Sequence, residues 1–425
     1  MKPLASLAAI AALLALASPA SASWVRSWSA APEPPSTARG PFPASPSFAH
    51  QTLRQVVRLS AGGERVRIRL TNEFGAKPLL IGAVHVALAD AGGAIQAGTD
   101  HVVTFDGRGT AVIAAGAPLL SDTVEMEVPA LARLAISLYL PEDTGPCTCH
   151  ATSMQTLYLA DGDQTAAPYV AAAPAPPPPV LPAGAPPLPR FPAPRAFLAG
   201  VEVDTPGVAS TIVLLGDSIT DGVGSTTDQD RRWPDVLAAR LAARSDSVWG
   251  VANQGISGNR ILHDGSAQSA LARFDRDVLA VPGARYVVIF EGINDLGRGT
   301  PMQGPLAAIF GPPEPVSAEQ MISGYRQLIL RAHARGLKVI GATIAPYGGA
   351  GYFSAEGEAK RQTINGWIRN GGAFDGVIDF DQALRDPADP KQMRADYHAG
   401  DHLHGSDAGY KAMGEAIDLG LFVPR

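Results

Sequence analysis

The sequence predicts an α/β domain built on a parallel sheet, preceded by a β-rich N-terminal region. From residue 209 onward, short apolar runs alternate with segments of helical periodicity, which is typical of parallel strands joined by helices. Between residues 24 and 167, short runs of β-forming residues are instead separated by Gly, Asp and Pro clusters. Such closely spaced short strands favour a β-sandwich or a jelly-roll-like module.

Four apolar runs predict the strands of the α/β domain, and five periodic segments predict helices around them. The predicted strands are 211–215, 248–252, 286–290 and 338–344, and the predicted helices are 233–244, 268–279, 318–335, 355–369 and 407–419. The helix that begins at Ala318 is well delimited, because Ser317 and Gln320 match a capping box and Gly336 follows the last turn. We therefore expect a flavodoxin-like three-layer α/β/α sandwich whose functional residues lie at the carboxyl ends of the strands.

In the N-terminal region, two runs of β-formers at 54–60 and 65–71 flank a Gly-containing turn, which predicts an antiparallel hairpin. An alternating run at 197–203 predicts a further strand that returns to the N-terminal sheet. We place the N-terminal β-rich domain at residues 23–207 and the α/β domain at 208–425. A Pro/Ala-rich stretch at about 171–194 is unsuited to a core element, so we interpret it as an insertion in the first domain.

Residues 1–22 have the organisation of a signal peptide. Lys2 supplies a positive start, an Ala/Leu-rich run follows, and Ala20-Ser21-Ala22 is a small-residue cleavage site. The apolar run is too short to span a bilayer and ends at Pro19. We therefore expect a secreted or periplasmic protein without stable membrane insertion.

Net charge and cysteine content argue against nucleic-acid binding and against a structural zinc site. The 425 residues carry a formal net charge of −6 and no block of Lys and Arg, which argues against a nucleic-acid partner. The only cysteines are Cys147 and Cys149. In an exported protein this pair forms either a disulfide across Thr148 or two thiols, and two ligands do not make a structural zinc site.

The strand predicted at 211–215 breaks into Gly216-Asp217-Ser218-Ile219-Thr220-Asp221-Gly222. This places the Ser218 hydroxyl at the carboxyl edge of the predicted sheet. Serine alone is a weak nucleophile, so catalysis by Ser218 requires a base, a carboxylate that orients the base, and donors for an oxyanion.

The candidate base is His404, which lies just before the last predicted helix in Asp401-His402-Leu403-His404. Asp401, three residues earlier, is placed to reach the ring nitrogen that does not face the serine. There it would fix the imidazole tautomer and stabilise the imidazolium. We treat His402 as structural or solvent-facing, because it alternates with His404.

Three groups are candidates for the oxyanion hole. They are the backbone N–H of Ser218, the backbone N–H of Gly255 in Asn253-Gln-Gly-Ile-Ser-Gly258, and the side-chain amide of Asn294 in Gly292-Ile-Asn-Asp295. Glycine suits a backbone that approaches the substrate closely, and an amide donates without changing its charge.

Together these motifs resemble those of the SGNH or GDSL hydrolases. Ser218, Gly255, Asn294 and the Asp401–His404 pair match the family's nucleophile, oxyanion residues and base with its aspartate. The resemblance covers residues 209–425, with Ile219 where the family's name has Leu. It implies the family's three-layer fold and hydrolysis of acyl esters with no cofactor and no metal.

The N-terminal half is similar to a subgroup that resembles xylan-associated esterases and arylesterases. The similarity rests on Trp24, Trp28, the run Arg54-Gln-Val-Val-Arg-Leu-Ser60 and Leu-Thr-Asn-Glu-Phe-Gly75. It implies a small-molecule or carbohydrate acyl ester as substrate. We expect a short acyl group, acetyl in particular, because no long apolar lid segment stands near the site loops.

Several other functions stay open at this point. A lipase or lysophospholipase would use the same mechanism on longer chains, and a non-catalytic carbohydrate-binding protein would use the β-rich part. The Asp and His residues of the segment 396–404 are numerous enough to bind a metal. A glycosidase would need Asp217 and Asp295 as a carboxylate pair across a cleft, whereas we expect both to brace their turns by hydrogen bonds.

Overall fold

The computed structural model describes residues 23–38, 43–90, 92–174, 192–244, 246–300 and 312–424. The predicted signal peptide and most of the predicted Pro/Ala-rich insertion lie outside the described residues. Among those that are described, no helix has the length and apolar character needed to cross a membrane.

The N-terminal region consists of β-strands joined by loops. Its strands are β1 Ser23–Ser29, β2 Gln51–Arg58, β3 Gly63–Asn72, β4 Leu79–Ile81, β5 Ala83–Leu88, β6 His101–Val102, β7 Ala111–Ile113, β8 Ala117–Leu120, β9 Val124–Val128, β10 Arg133–Leu140, β11 Cys149–His150, β12 Leu157–Asp161, β13 Arg195–Ala196 and β14 Leu198–Thr205.

Two antiparallel sheets make up most of this region. One has the order β1-β14-β3-β8, with β9 also paired to β3, and the other has the order β12-β2-β10-β5-β6. Apolar side chains of both sheets, including Ile68 of β3 and Ile136 of β10, are fully buried in one shared core. The predicted β-rich module is thus confirmed as a packed pair of sheets.

The predicted hairpin between β2 and β3 is wrong, because these strands belong to different sheets. Strand β2 pairs with β10 and β12, whereas β3 pairs with β14, β8 and β9. The turn between them carries the chain from one sheet to the other. Gly62 is required there, since a Cβ atom at this position would lie 2.7 Å from the Val128 carbonyl oxygen.

Strand β14 pairs antiparallel with both β1 and β3, so the chain does return to the N-terminal sheet after the Pro/Ala-rich stretch. Strand β13, just before it, pairs with β11. Cys149 of β11 forms a disulfide with Cys147, and both cysteines are buried.

The C-terminal region contains a parallel sheet and its helices. The strands are β15 Ala209–Gly216, β16 Val248–Gly255, β17 Ala284–Phe290, β18 Lys338–Ala342 and β19 Gly376–Ile378. The helices are α1 Ser218–Asp221, α2 Trp233–Ala242, α3 Ala270–Phe274 (continued by a π-helical turn, Asp275–Leu279), α4 Ile293–Gly297, α5 Ala318–His333, α6 Ala355–Asn370, α7 Phe380–Leu384 and α8 Asp407–Ala416.

The sheet has the order β16-β15-β17-β18-β19, and every pair in it is parallel. Numbered within this sheet, the order is 2-1-3-4-5, which confirms the flavodoxin-like prediction. The capping box of α5 is also confirmed, since Ser317 and Gln320 exchange hydrogen bonds. Strand β19 escaped prediction because it is only three residues long.

The two regions are in direct contact through β1. The backbone N–H of Arg26 donates to Thr211 Oγ1 at 3.0 Å, and the Ser29 hydroxyl donates to the Asn253 carbonyl at 3.0 Å. These bonds tie the first strand of the N-terminal region to β15 and β16 of the parallel sheet.

Candidate active site

Ser218 is the first residue of α1, directly after the end of β15. The Asp217 side chain caps this short helix by accepting the Ile219 N–H at 2.9 Å, and Gly222 ends it with a φ of 101°. A side chain on Gly216 would collide with Thr220 and the Phe290 carbonyl. Glycine and the capping aspartate thus bring the chain sharply out of the sheet into the helix that begins with Ser218.

His404 lies in the loop between α7 and α8 and contacts Ser218 at the carboxyl edge of the parallel sheet. Its Nε2 atom is 2.9 Å from Ser218 Oγ, and its Nδ1 atom is 2.6 Å from Asp401 Oδ2. The other carboxylate oxygen of Asp401 accepts the backbone N–H groups of Leu403 and His404 at 3.0 and 2.9 Å. The structure therefore brings Ser218, His404 and Asp401 together in one hydrogen-bonded chain.

The environment of Asp401 keeps it ionised. Partial burial on its own would raise the pKa of this carboxyl group, but the hydrogen bond and charge of His404 and the two backbone N–H donors lower the pKa to about 2. An anionic Asp401 accepts the Nδ1–H of His404, which leaves Nε2 with a lone pair toward Ser218.

Two of the three predicted oxyanion donors have an N–H hydrogen without an acceptor in the described residues. The Ser218 N–H is the first of a helix and has no hydrogen-bond acceptor in the described part of the chain. Asn294, on α4 after β17, is 9% exposed and donates one amide hydrogen to the Asn259 carbonyl at 3.0 Å. Its second amide hydrogen remains available, and the Tyr352 hydroxyl lies 3.4 Å from its oxygen.

The third prediction, Gly255, requires a correction. Its backbone N–H donates to Asn253 Oδ1 at 2.9 Å, so this group is already engaged. Gly255 lies behind α1, because a Cβ atom there would be 2.9 Å from the Asp217 carbonyl oxygen. This glycine therefore allows α1 to pack on the end of β16 and does not face a substrate.

Gly258, three residues further along, is the alternative to Gly255 as a backbone donor. It has a φ of 77°, is half-buried, and its N–H has no acceptor in the described residues. The next residue, Asn259, carries the carbonyl that accepts from Asn294. The sequence alone does not single out Gly258, because Gly255 stands three residues before it in the same segment. One feature of the sequence does favour Gly258 over Gly255 as the donor: it lies further beyond the predicted end of the strand at residue 252.

Three buried acids lie beneath the site. Burial raises the pKa of Asp217 to about 7 and that of Asp295 to about 6, and it raises the pKa of Glu291 well above its usual value. Asp295 accepts the N–H groups of Ile261 and Leu262 at 2.8 and 3.2 Å. Asp217 and Asp295 therefore brace turns, as expected from the sequence.

Arg273 is a buried cation that sequence analysis did not single out. It donates to the carbonyl oxygens of Gly216 at 3.0 Å and Gln254 at 2.7 Å, and to Asn259 Oδ1 at 2.9 Å. One of its nitrogens is also 3.4 Å from Glu291. This side chain ties together the ends of β15, β16 and β17, from which the site loops emerge.

The histidines of the 396–404 segment have separate surroundings. The rings of His398 and His402 stack at a centroid distance of 4.2 Å, whereas Asp401 is bound to His404. Asp396 pairs with Arg394 instead. In the parts of the chain described above, no three or more His, Cys, Asp or Glu side chains are grouped so as to hold a metal ion.

Residues 214–412 match the model of the GDSL-like lipase/acylhydrolase family. We therefore call this part of the chain the GDSL domain. The match runs from the end of β15 into α8 and includes Ser218, Asn294, Asp401 and His404. This GDSL domain is the α/β part of the protein, and the β-rich region lies outside the match.

Several solved structures are similar to this GDSL domain. A GDSL-like lipase from Bacteroides thetaiotaomicron VPI-5482 is 20% identical, with 50% of this chain and 87% of that chain covered and a TM-score of 0.36. The acetyl xylan esterase AlAXEase is 19% identical over 48% and 96%, with a TM-score of 0.37. The M. smegmatis aryl esterase is 18% identical over 49% and 95%, with a TM-score of 0.37. No curated protein sequence matches the chain.

Proposed function

We propose that this protein is a secreted serine esterase that hydrolyses short-chain acyl esters, acetyl esters above all, through an acyl-serine intermediate. The observation that carries the proposal is the hydrogen-bonded chain from Ser218 through His404 to Asp401, with distances of 2.9 and 2.6 Å. Secretion rests on the predicted signal peptide, and hydrolysis of esters agrees with the GDSL family match.

In the first half of the reaction, Ser218 Oγ forms a bond to the ester carbonyl carbon. His404 Nε2 takes the hydroxyl proton, and Asp401 stabilises the resulting imidazolium through the Nδ1–H. The carbonyl π-electron pair moves onto oxygen, which gives a tetrahedral oxyanion. Because Asp401 is already anionic and held by two backbone N–H groups, the ring needs no reorientation during the transfer.

The oxyanion is held by three N–H groups. We assign them to the backbone of Ser218, the backbone of Gly258 and the side chain of Asn294, with Gly258 in the place first given to Gly255. Two of these N–H groups have no acceptor in the described residues, and the Asn294 amide keeps one hydrogen for a ligand. Such donors stabilise charge that develops only in the transition state.

The tetrahedral species then collapses, and the bond between the carbonyl carbon and the alcohol oxygen breaks. His404 Nε2 returns the proton to this leaving alcohol, and the acyl group remains on Ser218. A water molecule repeats the sequence, with His404 as base, and releases the acid and free Ser218.

The preference for a short acyl group is supported by Tyr352. Its ring packs against Gly297, where a Cβ atom would lie 2.6 Å from the ring. Its hydroxyl reaches Asn294. We propose that this aromatic ring, next to a proposed oxyanion donor, forms one wall of the acyl site and disfavours a long chain. We propose small alcohols or sugars as the other half of the ester.

The test is hydrolysis of p-nitrophenyl esters from acetate to palmitate by wild type and Ser218→Ala. We expect activity that peaks at acetate and is absent from Ser218→Ala. A peak at long chains would replace the short-chain proposal with a lipase-type acylhydrolase. Activity that persists in Ser218→Ala would refute the serine mechanism.

A matched pair of histidine variants separates this mechanism from a metal-dependent one. His404→Ala should abolish turnover. His402→Asn should keep most of it, because asparagine tolerates the φ of 60° at this position. The metal-site alternative gains support if His402→Asn is inactive and a chelator also inactivates the wild type.

A further inference from the structure

His150, in the N-terminal region, reaches the helix that carries Ser218. Its ring is 6% exposed, and its Nε2 atom is 2.9 Å from Asp221 Oδ1. On the other side, Nδ1 lies 3.0 Å from the Ala31 carbonyl oxygen and 3.4 Å from Glu33 Oε1. The ring therefore connects two acids that belong to the two regions of the chain.

Asp221 connects two elements of the candidate site by hydrogen bonds. It is the last residue of α1, whose first residue is Ser218. Its second carboxylate oxygen accepts the Ser257 hydroxyl at 3.2 Å, and Ser257 accepts from the Thr152 hydroxyl at 2.8 Å. Ser257 directly precedes Gly258, so this carboxylate links the Ser218 helix to the turn that carries a proposed oxyanion donor.

The ring has hydrogen-bond acceptors at both nitrogens, which suits the doubly protonated imidazolium. Burial by itself lowers the pKa of His150, but the charges of Asp221 and Glu33 and the acceptor at Ala31 outweigh it and raise the pKa to about 9. The contact with Asp221 is accordingly a buried ion pair. Removing one partner of such a pair leaves the other charged and unpaired.

The backbone around His150 is well anchored. His150 pairs with Arg195 of β13, and the neighbouring Cys149 is held by its disulfide. The Glu33 N–H donates to the Cys149 carbonyl at 2.7 Å, and the Ala151 N–H donates to Glu33 at 2.7 Å. The imidazolium is therefore presented from a fixed framework.

We propose that His150 is a positioning residue for ester hydrolysis: through Asp221 it sets the spacing between the Ser218 helix and the Ser257–Gly258 turn. The β-rich region thus completes the active site of the GDSL domain. This inference rests on the proposed esterase function, because its effect is on the two backbone N–H groups that receive the oxyanion.

The experiment compares His150→Gln, Asp221→Asn and the double variant with wild type on p-nitrophenyl acetate. Rates are expressed per reactive serine, titrated by the burst of p-nitrophenol or by a phosphonate that labels Ser218. We expect kcat to fall about 10- to 100-fold with KM within about threefold, as is typical of a small misplacement of catalytic groups. The double variant should be no slower than the slower single variant, because both changes break one link.

Arg133→Gln is the matched control. Arg133, on β10, pairs with Asp230 of the GDSL domain at 2.8 Å, so this variant also loses an ion pair between the regions. In the described residues, its hydrogen bonds go to the Asp230 carboxylate and the Asp228 carbonyl, and none reaches α1 or the Ser257–Gly258 turn. We expect its kcat per reactive serine to stay within about twofold of wild type.

The inference is overturned if His150→Gln keeps the wild-type kcat per reactive serine. This includes the case in which the variant loses total activity only because a smaller fraction of its molecules carries a reactive Ser218. The proposed function still stands in either case, since wild type remains active and Ser218-dependent. Absence of Ser218-dependent hydrolysis in wild type overturns both. Should His150→Gln fail to fold, Ser257→Ala tests the same link: a lower kcat that is not additive with Asp221→Asn supports the inference, and full additivity overturns it.

Discussion

The His150–Asp221 ion pair makes folding stability depend on pH in a window that follows from the structure. The pKa of His150 is raised from the ordinary 6.5 to about 9 in the folded protein. Each pKa unit corresponds to about 1.4 kcal/mol, so the protonated ring contributes about 3 kcal/mol to the free energy of unfolding. Because the folded state binds this proton more tightly, the contribution is fully present below pH 6.5 and is lost as the pH rises through 9.

The assay is urea unfolding of wild type and His150→Gln at intervals from pH 6 to pH 10. The difference in the free energy of unfolding between them should shrink by about 3 kcal/mol over this range, since glutamine does not titrate. Asp221 and Glu33 face the ring in the folded protein. Burial raises the pKa of Glu33 to about 7, so it completes most of its titration at the lower end of the window.

Arg133→Gln again serves as the control, because it removes an ion pair between the regions without touching His150, and its curve should run parallel to that of wild type. Curves for wild type and His150→Gln that stay parallel from pH 6 to pH 10 would refute the reasoning. They would mean that the buried ring is neutral and that Asp221 is held by an uncharged donor.

Three further predictions concern the proposed machinery. Asp401→Asn should lower kcat for p-nitrophenyl acetate on the order of 1000- to 10,000-fold, because an amide favours the wrong tautomer of His404; a loss below tenfold would contradict that role. Asn294→Ala should lower kcat about 100- to 1000-fold with little change in KM, and an unchanged kcat would remove Asn294 from the oxyanion hole. Gly255→Ala should lower the thermal unfolding midpoint, since the added Cβ meets the backbone of Asp217 and Asp221; an unchanged midpoint would show that α1 packs elsewhere.

The main features of the site could be predicted from local sequence because parallel strands align their carboxyl ends. Ser218 follows β15, Asn294 follows β17, and Asp401 and His404 precede α8, so one edge of the sheet collects them. Local sequence could not decide between Gly255 and Gly258. That choice depends on the Asn253 side chain, which engages one N–H and leaves the other without an acceptor.

Other features depend on contacts between distant parts of the chain, which local patterns do not reveal. His150 lies 71 residues before Asp221, and Arg273 lies 57 residues after Gly216. Neither residue stands in a motif that marks its partner. The wrong hairpin has the same origin, because alternation predicts a strand and does not specify the sheet that it joins.

The return of β14 to the first sheet determines how this protein can be divided. Residues 195–205, which follow the Pro/Ala-rich stretch, supply β13 and the strand between β1 and β3. A cut between residues 174 and 192 would therefore yield one fragment with a gap in its sheet and a second fragment that carries the missing strand. Such halves are suited to reassembly as a split enzyme, whereas a gene divided at that stretch would not give two autonomous proteins.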